Sequence, residues 1–285
     1  MATFYNQATL TYNGRSTTSN ITVGELQEAL TVSKTALSDT YVAGESITYV
    51  ITIVNGGTGA FNGLTVTDNL GEYDFGENDT RVPLEFTDGA VLYFVNGVLQ
   101  NTPNVTAGPP LRITGINVPV GGNVTLVYEA QLNEFAPIDL EGFVTNTVTV
   151  SGGGLTQPIT AEETVNADTA AQLTISKALN PTVVSENGQL TYTFVIRNSG
   201  STAITAIDLA VITDTFDPAI TITAVTFNGA TWIEPVNYRY NEATGEFATI
   251  PGQITVPAAT ITQDPTTGAW SVNPGVSVLT VTGTI

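Results

Sequence analysis

The chain repeats itself. Leu30-Thr-Val-Ser-Lys-Thr returns as Leu173-Thr-Ile-Ser-Lys-Ala, and the same offset lays Tyr49 on Tyr192, Asn55 on Asn198 and Gly57 on Gly200. A duplicated pattern builds the same unit twice, so whatever fold the first half takes, the second takes too. Lys34 and Lys177, which head the two copies, are the only lysines among 285 residues. Acidic soluble chains ordinarily spread lysine over the surface, so lysine kept at one repeated place serves something other than solubility.

Both copies are written in strands. The chain is rich in Thr, Val, Ile and Gly, and its short alternating runs argue for β structure and against amphipathic helices. In the first copy strands are predicted at 30–36, 46–55, 62–70, 90–95, 98–101, 111–118, 123–132 and 143–151. Asn96-Gly97 marks a tight hairpin there. In the second copy they are predicted at 173–179, 189–198, 204–216, 220–228 and 276–285, with Asn228-Gly229 repeating the hairpin. Residues 230–272 form a Pro- and Gly-punctuated excursion that carries both tryptophans. With 42% hydrophobic residues the chain can bury two cores. The expected fold is all-β, with two tandem immunoglobulin-like sandwiches at 30–151 and 173–285, a linker at 152–172, and an arm and linker at 1–29.

The two copies end differently. The first runs through Gly122-Asn-Val-Thr-Leu-Val-Tyr-Glu-Ala-Gln-Leu132 into a last strand, Phe143-Val-Thr-Asn-Thr-Val-Thr-Val-Ser151. The second reaches Gly275-Val-Ser-Val-Leu-Thr-Val-Thr-Gly-Thr-Ile285 with no counterpart of that strand after it, so its sandwich is expected to be incomplete. A segment of the missing kind stands at the front: Phe4-Tyr-Asn-Gln-Ala-Thr-Leu-Thr-Tyr12 resembles Val144-Thr-Asn-Thr-Val-Thr-Val, with Asn6 on Asn146. A sandwich short of an edge strand leaves open backbone groups beside an apolar groove, which an unpaired strand can fill. The linker of about 17 residues spans at most about 56 Å and would have to pass the whole first domain. Insertion into the next molecule is therefore expected, and a head-to-tail contact of that kind builds an open filament. That expectation takes residues 4–12 as an unpaired donor strand.

Composition removes other functions. A net charge of −19 leaves no electrostatic basis for binding nucleic acid or an anionic membrane. Without histidine or cysteine, Ser-His-Asp and Cys-His catalysis, thiolate zinc sites and disulfides are excluded. No apolar run approaches the roughly 18 residues of a membrane span. Met1-Ala-Thr-Phe-Tyr-Asn has neither a basic nor an apolar leader region, so export is expected after removal of a leader or by mother-cell lysis around a spore. No cofactor is expected.

Strand alternation sorts the remaining polar residues by face. Leu30, Val32 and Lys34 share one face; Leu64, Val66, Asp68 and Leu70 share another; Val144, Asn146, Val148 and Val150 share a third. In the second copy the rows are Leu173, Ile175, Lys177 and Ile212, Asp214, Phe216, and on the arm Phe4, Asn6, Ala8, Leu10 and Tyr12. Each domain thus directs one Lys, one Asp and one Asn inward. Burial lowers a lysine pKa and raises an aspartate pKa, towards a neutral pair. A neutral Lys34 amine could then attack the Asn146 side-chain carbonyl, polarised by protonated Asp68, with ammonia leaving and an amide cross-link formed. The same residues could also form a buried ion pair capped by Asn, with no covalent bond.

Several motifs carry a resemblance. The Ser-Lys-Thr and Ser-Lys-Ala starts, Gly44-Glu-Ser-Ile-Thr-Tyr-Val-Ile-Thr-Ile-Val-Asn55, Thr65-Val-Thr-Asp-Asn-Leu70 and Thr145-Asn-Thr-Val-Thr-Val150 resemble the conserved-repeat domain of unknown function 11, found in tandem on bacterial surface proteins. The order Lys, Asp, Asn is similar to that of collagen-adhesin-type domains of Gram-positive bacteria, which carry Lys-Asn isopeptide bonds promoted by an Asp. The resemblance implies that Lys34 and Asn146 are cross-linked with Asp68 as promoter. It implies the same of Lys177 and Asp214, with Asn6 supplied by a neighbour. A three-residue insertion precedes Asp214.

Weaker signals complete the reading. Glu72, Asp74, Glu77 and Asp79 are calcium-type ligands without calcium-loop spacing, and a solvated acidic loop is the better account of them. Trp232, Tyr238, Tyr240 and Trp270 could grip a glycan or a partner, or pack beneath their own loop. Asn-x-Thr matches at Asn20, Asn78, Asn104 and Asn123 carry little in a Thr-rich chain. The expected function is a structural subunit, not a turnover enzyme, that polymerises with itself outside the cell on a bacterial cell or spore surface. A monomeric surface adhesin or glycan-binding module is the alternative. A carbohydrate-active enzyme with paired carboxylates lacks any motif.

Overall fold

The computed structural model describes residues 2–26 and 29–285, so Met1, Gln27 and Glu28 of the expected arm and linker lie outside the described residues. It is all-β, and it clusters into two compact units: Met1–Asp39, Gly44–Asn133 and Val144–Val165 form one, and Thr40–Ala43, Glu134–Phe143 and Asn166–Ile285 the other.

The arm is not a single strand. β1 (Ala2–Asn6), β2 (Thr9–Tyr12), β3 (Arg15–Thr18) and β4 (Thr22–Leu26) make one antiparallel ribbon, β1 on β4 and β2 on β3. It turns at Asn13-Gly14, where φ is 43° and 74°. A two-residue hairpin turn of this hand needs positive φ at both central residues, which Asn and Gly accept at least cost. The expectation of a free strand at 4–12 trailed by a linker is therefore corrected, because the linker folds back as the second strand. Phe4, Asn6, Ala8, Leu10 and Tyr12 are all exposed on this ribbon. The Phe4 ring covers its cross-strand partner Gly24, where an added Cβ would meet it at 2.3 Å.

In the first sandwich the strands are β5 (Leu30–Ala36), β6 (Thr40–Tyr41), β7 (Ser46–Asn55), β8 (Phe61–Asp68), β9 (Tyr73–Phe75), β10 (Asp79–Arg81), β11 (Leu84–Phe86), β12 (Leu92–Val95) and β13 (Val98–Leu99). They are followed by β14 (Asn104–Thr106), β15 (Leu111–Val118), β16 (Asn123–Leu132), β17 (Phe143–Gly152) and β18 (Ile159–Ala167). One sheet has the order β13-β12-β16-β7-β5, with β11 also on β16; the other runs β14-β15-β8-β17-β18. Alternation decides what is inside. Tyr49, Ile51 and Ile53 of β7, Val124, Leu126 and Tyr128 of β16, and Val144, Val148 and Val150 of β17 are all buried. Residues 152–172 are not a bare linker: β18 occupies 159–167 beside β17, and its end pairs in parallel with β6 (Asn166 on Thr40, Ala167 on Tyr41).

In the second sandwich come β19 (Leu173–Asn180), β20 (Gln189–Asn198), β21 (Thr213–Thr215), β22 (Thr221–Phe227) and β23 (Ala230–Trp232). β24 (Tyr238–Asn241), β25 (Glu246–Thr249), β26 (Thr260–Gln263), β27 (Trp270–Asn273) and β28 (Gly275–Thr284) complete it. The sheet order β19-β20-β28-β22 repeats β5-β7-β16-β12, and β21-β25-β24 repeats β8-β15-β14. The predicted strand at 204–216 breaks. A 3₁₀ turn at Ala206–Asp208, capped by the Asp208 carboxylate on the Thr205 N–H at 2.7 Å, takes up the inserted residues before β21 begins. β8 has β17 on its second side, whereas β21, among the described residues, has no strand there.

The aligned Asn-x-Gly pairs hold loops. Asn55 accepts from the Gly57 N–H and donates to the Gly59 and Pro119 carbonyls; Asn198 accepts from the Gly200 N–H and donates to those of Thr202 and Pro257. At Gly200 the backbone passes so near Ala170 that a Cβ would lie 2.0 Å from its carbonyl oxygen.

Candidate functional site

In the first sandwich the three residues singled out by alternation meet. Lys34 on β5, Asp68 at the end of β8 and Asn146 on β17 are 4%, 1% and 0% exposed. The Lys34 ammonium donates to Asp68 Oδ2. The Tyr128 hydroxyl donates to the same oxygen at 2.7 Å and accepts from Asn146 Nδ2 at 2.9 Å. Asp68 Oδ1 accepts from the Leu70 N–H at 3.0 Å. Among the described residues the Asn146 carbonyl oxygen and the Tyr49 hydroxyl, both buried, have no hydrogen-bond partner within bonding geometry.

The surroundings weaken the charge on the amine. Lys34 Nζ lies 4.7 Å from the Tyr49 ring centre and 5.7 Å from that of Tyr128, and the two rings stack at 5.5 Å. Burial lowers Lys34 from 10.5 to about 8, against the pull of the Asp68 carboxylate. Burial raises the Tyr49 and Tyr128 hydroxyls, so both hold their protons. An amine whose burial eases the loss of its proton, a carboxylate hydrogen-bonded to that amine and an amide thus share one dry network. Such a network has what amide exchange requires, namely proximity, a proton acceptor and excluded water.

Tyr49 and Tyr128 are the site residues that the sequence reading missed. Tyr49 had a signal in its alignment with Tyr192. Tyr128 had a fainter one, as the only hydroxyl on the inward row Val124, Leu126, Tyr128, Ala130.

The second sandwich carries an open version. Lys177 donates to Asp214 Oδ2, so the inserted residues leave Asp214 in register with its lysine. Lys177 Nζ lies 4.5 Å from the Tyr192 ring centre and 5.3 Å from that of Phe216. Here, however, the lysine side chain is 38% exposed, and Leu173 and Ile175 are 44% and 57% exposed where Leu30 is buried. Asp214, Tyr240 and Phe247 line an open concavity of about 620 Å³. Asn6 stands exposed on the ribbon and is not part of this network. Register places Val281 opposite Tyr192 where Tyr128 stands opposite Tyr49, so this site lacks the bridging hydroxyl.

The weaker candidates resolve otherwise. Glu72, Asp74, Glu77 and Asp79 are all exposed around the β9–β10 turn, where Asp79 pairs with Arg81 at 2.6 Å. Among the described residues no three His, Cys, Asp or Glu side chains gather as metal ligands. Trp232 and Tyr238 are buried, Trp232 stacking on Phe227 at 4.9 Å and Tyr238 on Phe247 at 5.4 Å. Tyr240 is half-buried, and its hydroxyl donates to the Ile220 carbonyl. Trp232 and Tyr238 fill the core beneath their loop, and Tyr240 packs against that core at the edge of the concavity.

No family model matches the chain, and no curated protein matches it. Among solved structures it is similar to the pilus backbone protein RrgB of Streptococcus pneumoniae, with 13% identity over 86% of this chain and a TM-score of 0.35. It spans 55% of that chain's length. It is also similar to BcpA, the major pilin subunit of Bacillus cereus, with 13% identity over 95% of this chain and 73% of that one and a TM-score of 0.36. A C-terminal fragment of the major pilin of Streptococcus agalactiae matches at 11% identity over 79% of both chains, with a TM-score of 0.35.

Proposed function

We propose that the chain is the subunit of an extracellular bacterial fibre on a cell or spore surface. It grows head to tail as the N-terminal ribbon of one copy fills the place beside β21 in the next, and Lys-Asn amide bonds harden it. Kinship with the conserved-repeat domain of unknown function 11 belongs to the same proposal. The observation that carries it is the uncovered row Leu173, Ile175, Lys177 beside the unpaired side of β21, set against the covered row Leu30, Val32, Lys34 beside β17. β17 and β18 are a two-strand unit leading into the second copy, as the ribbon is a two-strand unit leading into the first. In the first sandwich Val148 pairs with Asp68 and Val150 with Val66. Transferred through Asn6 on Asn146, that register sets Ala8 against Asp214 and Leu10 against Ile212, and brings Asn6 to Lys177.

Within the first sandwich the Lys34 proton passes to Asp68, the neutral amine attacks Asn146 Cγ, the Cγ–Nδ2 bond breaks and ammonia leaves. Asp68 ends protonated, holding the second proton given up by the attacking nitrogen. Intact mass tests this. The wild-type subunit is expected to be lighter than its sequence by one ammonia and Lys34→Ala to have its full sequence mass; a wild type of full sequence mass removes the bond.

The pH dependence follows from where the proton sits. Below its value of about 8 Lys34 carries the proton that the reaction must move, and passing it within the ion pair changes no net charge. Above about 8 that proton is lost to solvent and is no longer there to be handed on to the leaving nitrogen. The cross-linking rate is therefore expected to be level on the neutral side of pH 8 and to fall on the alkaline side. A rate that climbs towards pH 8 and then levels would mean that the free amine alone limits the reaction.

A further inference from the structure

We propose that Tyr128 is a catalytic residue of the intramolecular cross-link, relaying a proton from Asp68 to the departing nitrogen of Asn146. This rests on the reading of Lys34 and Asn146 as an amide-forming pair. The geometry is a two-bond chain: Asp68 Oδ2 to the Tyr128 oxygen at 2.7 Å, and the Tyr128 oxygen to Asn146 Nδ2 at 2.9 Å. Lys34 bonds the same Asp68 oxygen as Tyr128 does, whereas Asn146 Nδ2 bonds Tyr128. Tyr128 is hydrogen-bonded to the leaving atom itself.

The direction of these bonds reverses during reaction. In the planar amide the nitrogen lone pair is delocalised, so Nδ2 can only donate to Tyr128, which donates onward to the Asp68 carboxylate. Once the Lys34 amine has added to Cγ, Nδ2 is tetrahedral and has a free lone pair. Asp68, now carrying the first Lys34 proton, donates to Tyr128 while Tyr128 gives its own proton to Nδ2. The attacking nitrogen then returns a proton to Asp68, the oxyanion collapses, the Cγ–Nδ2 bond breaks and neutral ammonia departs. Tyr128 is a neutral phenol before and after, so it never needs to exist as a buried phenolate. Without a proton donor at Nδ2 the leaving group would be an amide anion, which does not depart from carbon near neutral pH.

Tyr128→Phe removes the hydroxyl and keeps the ring that stacks on Tyr49 at 5.5 Å and tilts against Phe86 at 6.4 Å. The chain is collected in denaturant before it has cross-linked, diluted into buffer, and its mass followed with time beside wild type. The expected result is a folded variant, with a cooperative melt, that loses ammonia more slowly by about 10²-fold or more, the range of general acid catalysis. A folded variant that cross-links as fast as wild type overturns the relay and leaves the amide bond standing; a wild type that never loses ammonia overturns the bond itself. A companion measurement needs no variant: the wild-type rate in heavy water is expected to be lower than in light water, since the relayed protons exchange with solvent. Equal rates in the two solvents overturn the relay even if Tyr128→Phe fails to fold.

Discussion

Subunits lacking residues 2–26 are expected to stay monomeric under conditions in which the full chain forms fibres, as read by electron microscopy and sedimentation. The ribbon offers Phe4, Leu10 and Tyr12, and the second sandwich offers Leu173 and Ile175, all exposed in the free subunit. Burying a large apolar side chain gives roughly 1.5–3 kcal/mol. Five such side chains therefore give roughly 10 kcal/mol, to which main-chain pairing along β21 adds. Association costs about 4–15 kcal/mol in lost freedom and ordering. The two sides are similar in size, so the contact depends on every strand it contains, and removing the ribbon takes away one whole partner. The same balance makes the uncross-linked joint reversible: Asn6→Ala and Lys177→Ala are expected to give fibres that fall apart in hot detergent, where wild type gives ladders. The truncated subunit should also bind the ribbon added back as a peptide. Fibres formed by the truncated subunit would show that another segment fills the groove, and the proposal would fail.

The fold was legible in the sequence wherever alternation and the repeat spoke together. Lys34, Asp68 and Asn146 meet because each lies on an inward row of a strand whose period was plain. Asp214 meets Lys177 because the 3₁₀ turn at Ala206–Asp208 absorbs the insertion, which no periodicity could foretell. The ribbon was legible and missed: Asn13-Gly14 is the same turn signal as Asn96-Gly97 and Asn228-Gly229, and all three have positive φ at both residues. It was passed over because the residues after it, Arg15–Thr18, are polar and bury nothing, so the alternation that marks a half-buried strand is absent. β18 was missed for the related reason that most of its length is exposed or half-buried. Tyr128 was hidden in a row of apolar neighbours, where a hydroxyl counts as hydrophobic until the partner that it touches is known.

Replacing Lys34 by Met and Asp68 by Leu together separates the two readings of the buried pair by stability. If the pair is only ionic, apolar residues of similar size in its place are expected to be neutral or to stabilise by about 1–4 kcal/mol. If Lys34 is bonded to Asn146, the bond closes a loop of roughly 110 residues, which in the chain-entropy model is worth about 4–5 kcal/mol, and the double variant loses it. Lys34→Met alone is worse in either case. It leaves the Asp68 carboxylate buried without its cation, a loss of about 3–5 kcal/mol. With the bond lost as well, the total reaches roughly 7–10 kcal/mol, comparable with the whole stability of an ordinary domain. The expected order in urea melts is therefore wild type above the double variant by about 4–5 kcal/mol, and the double variant above Lys34→Met by about 3–5 kcal/mol. A double variant as stable as wild type would mean that the lysine and the asparagine merely lie side by side. Because chain entropy acts on the unfolded state, the bond should lower stability when lost without changing the folded core, so the double variant should keep the near-ultraviolet signature of the Tyr49 and Tyr128 stack.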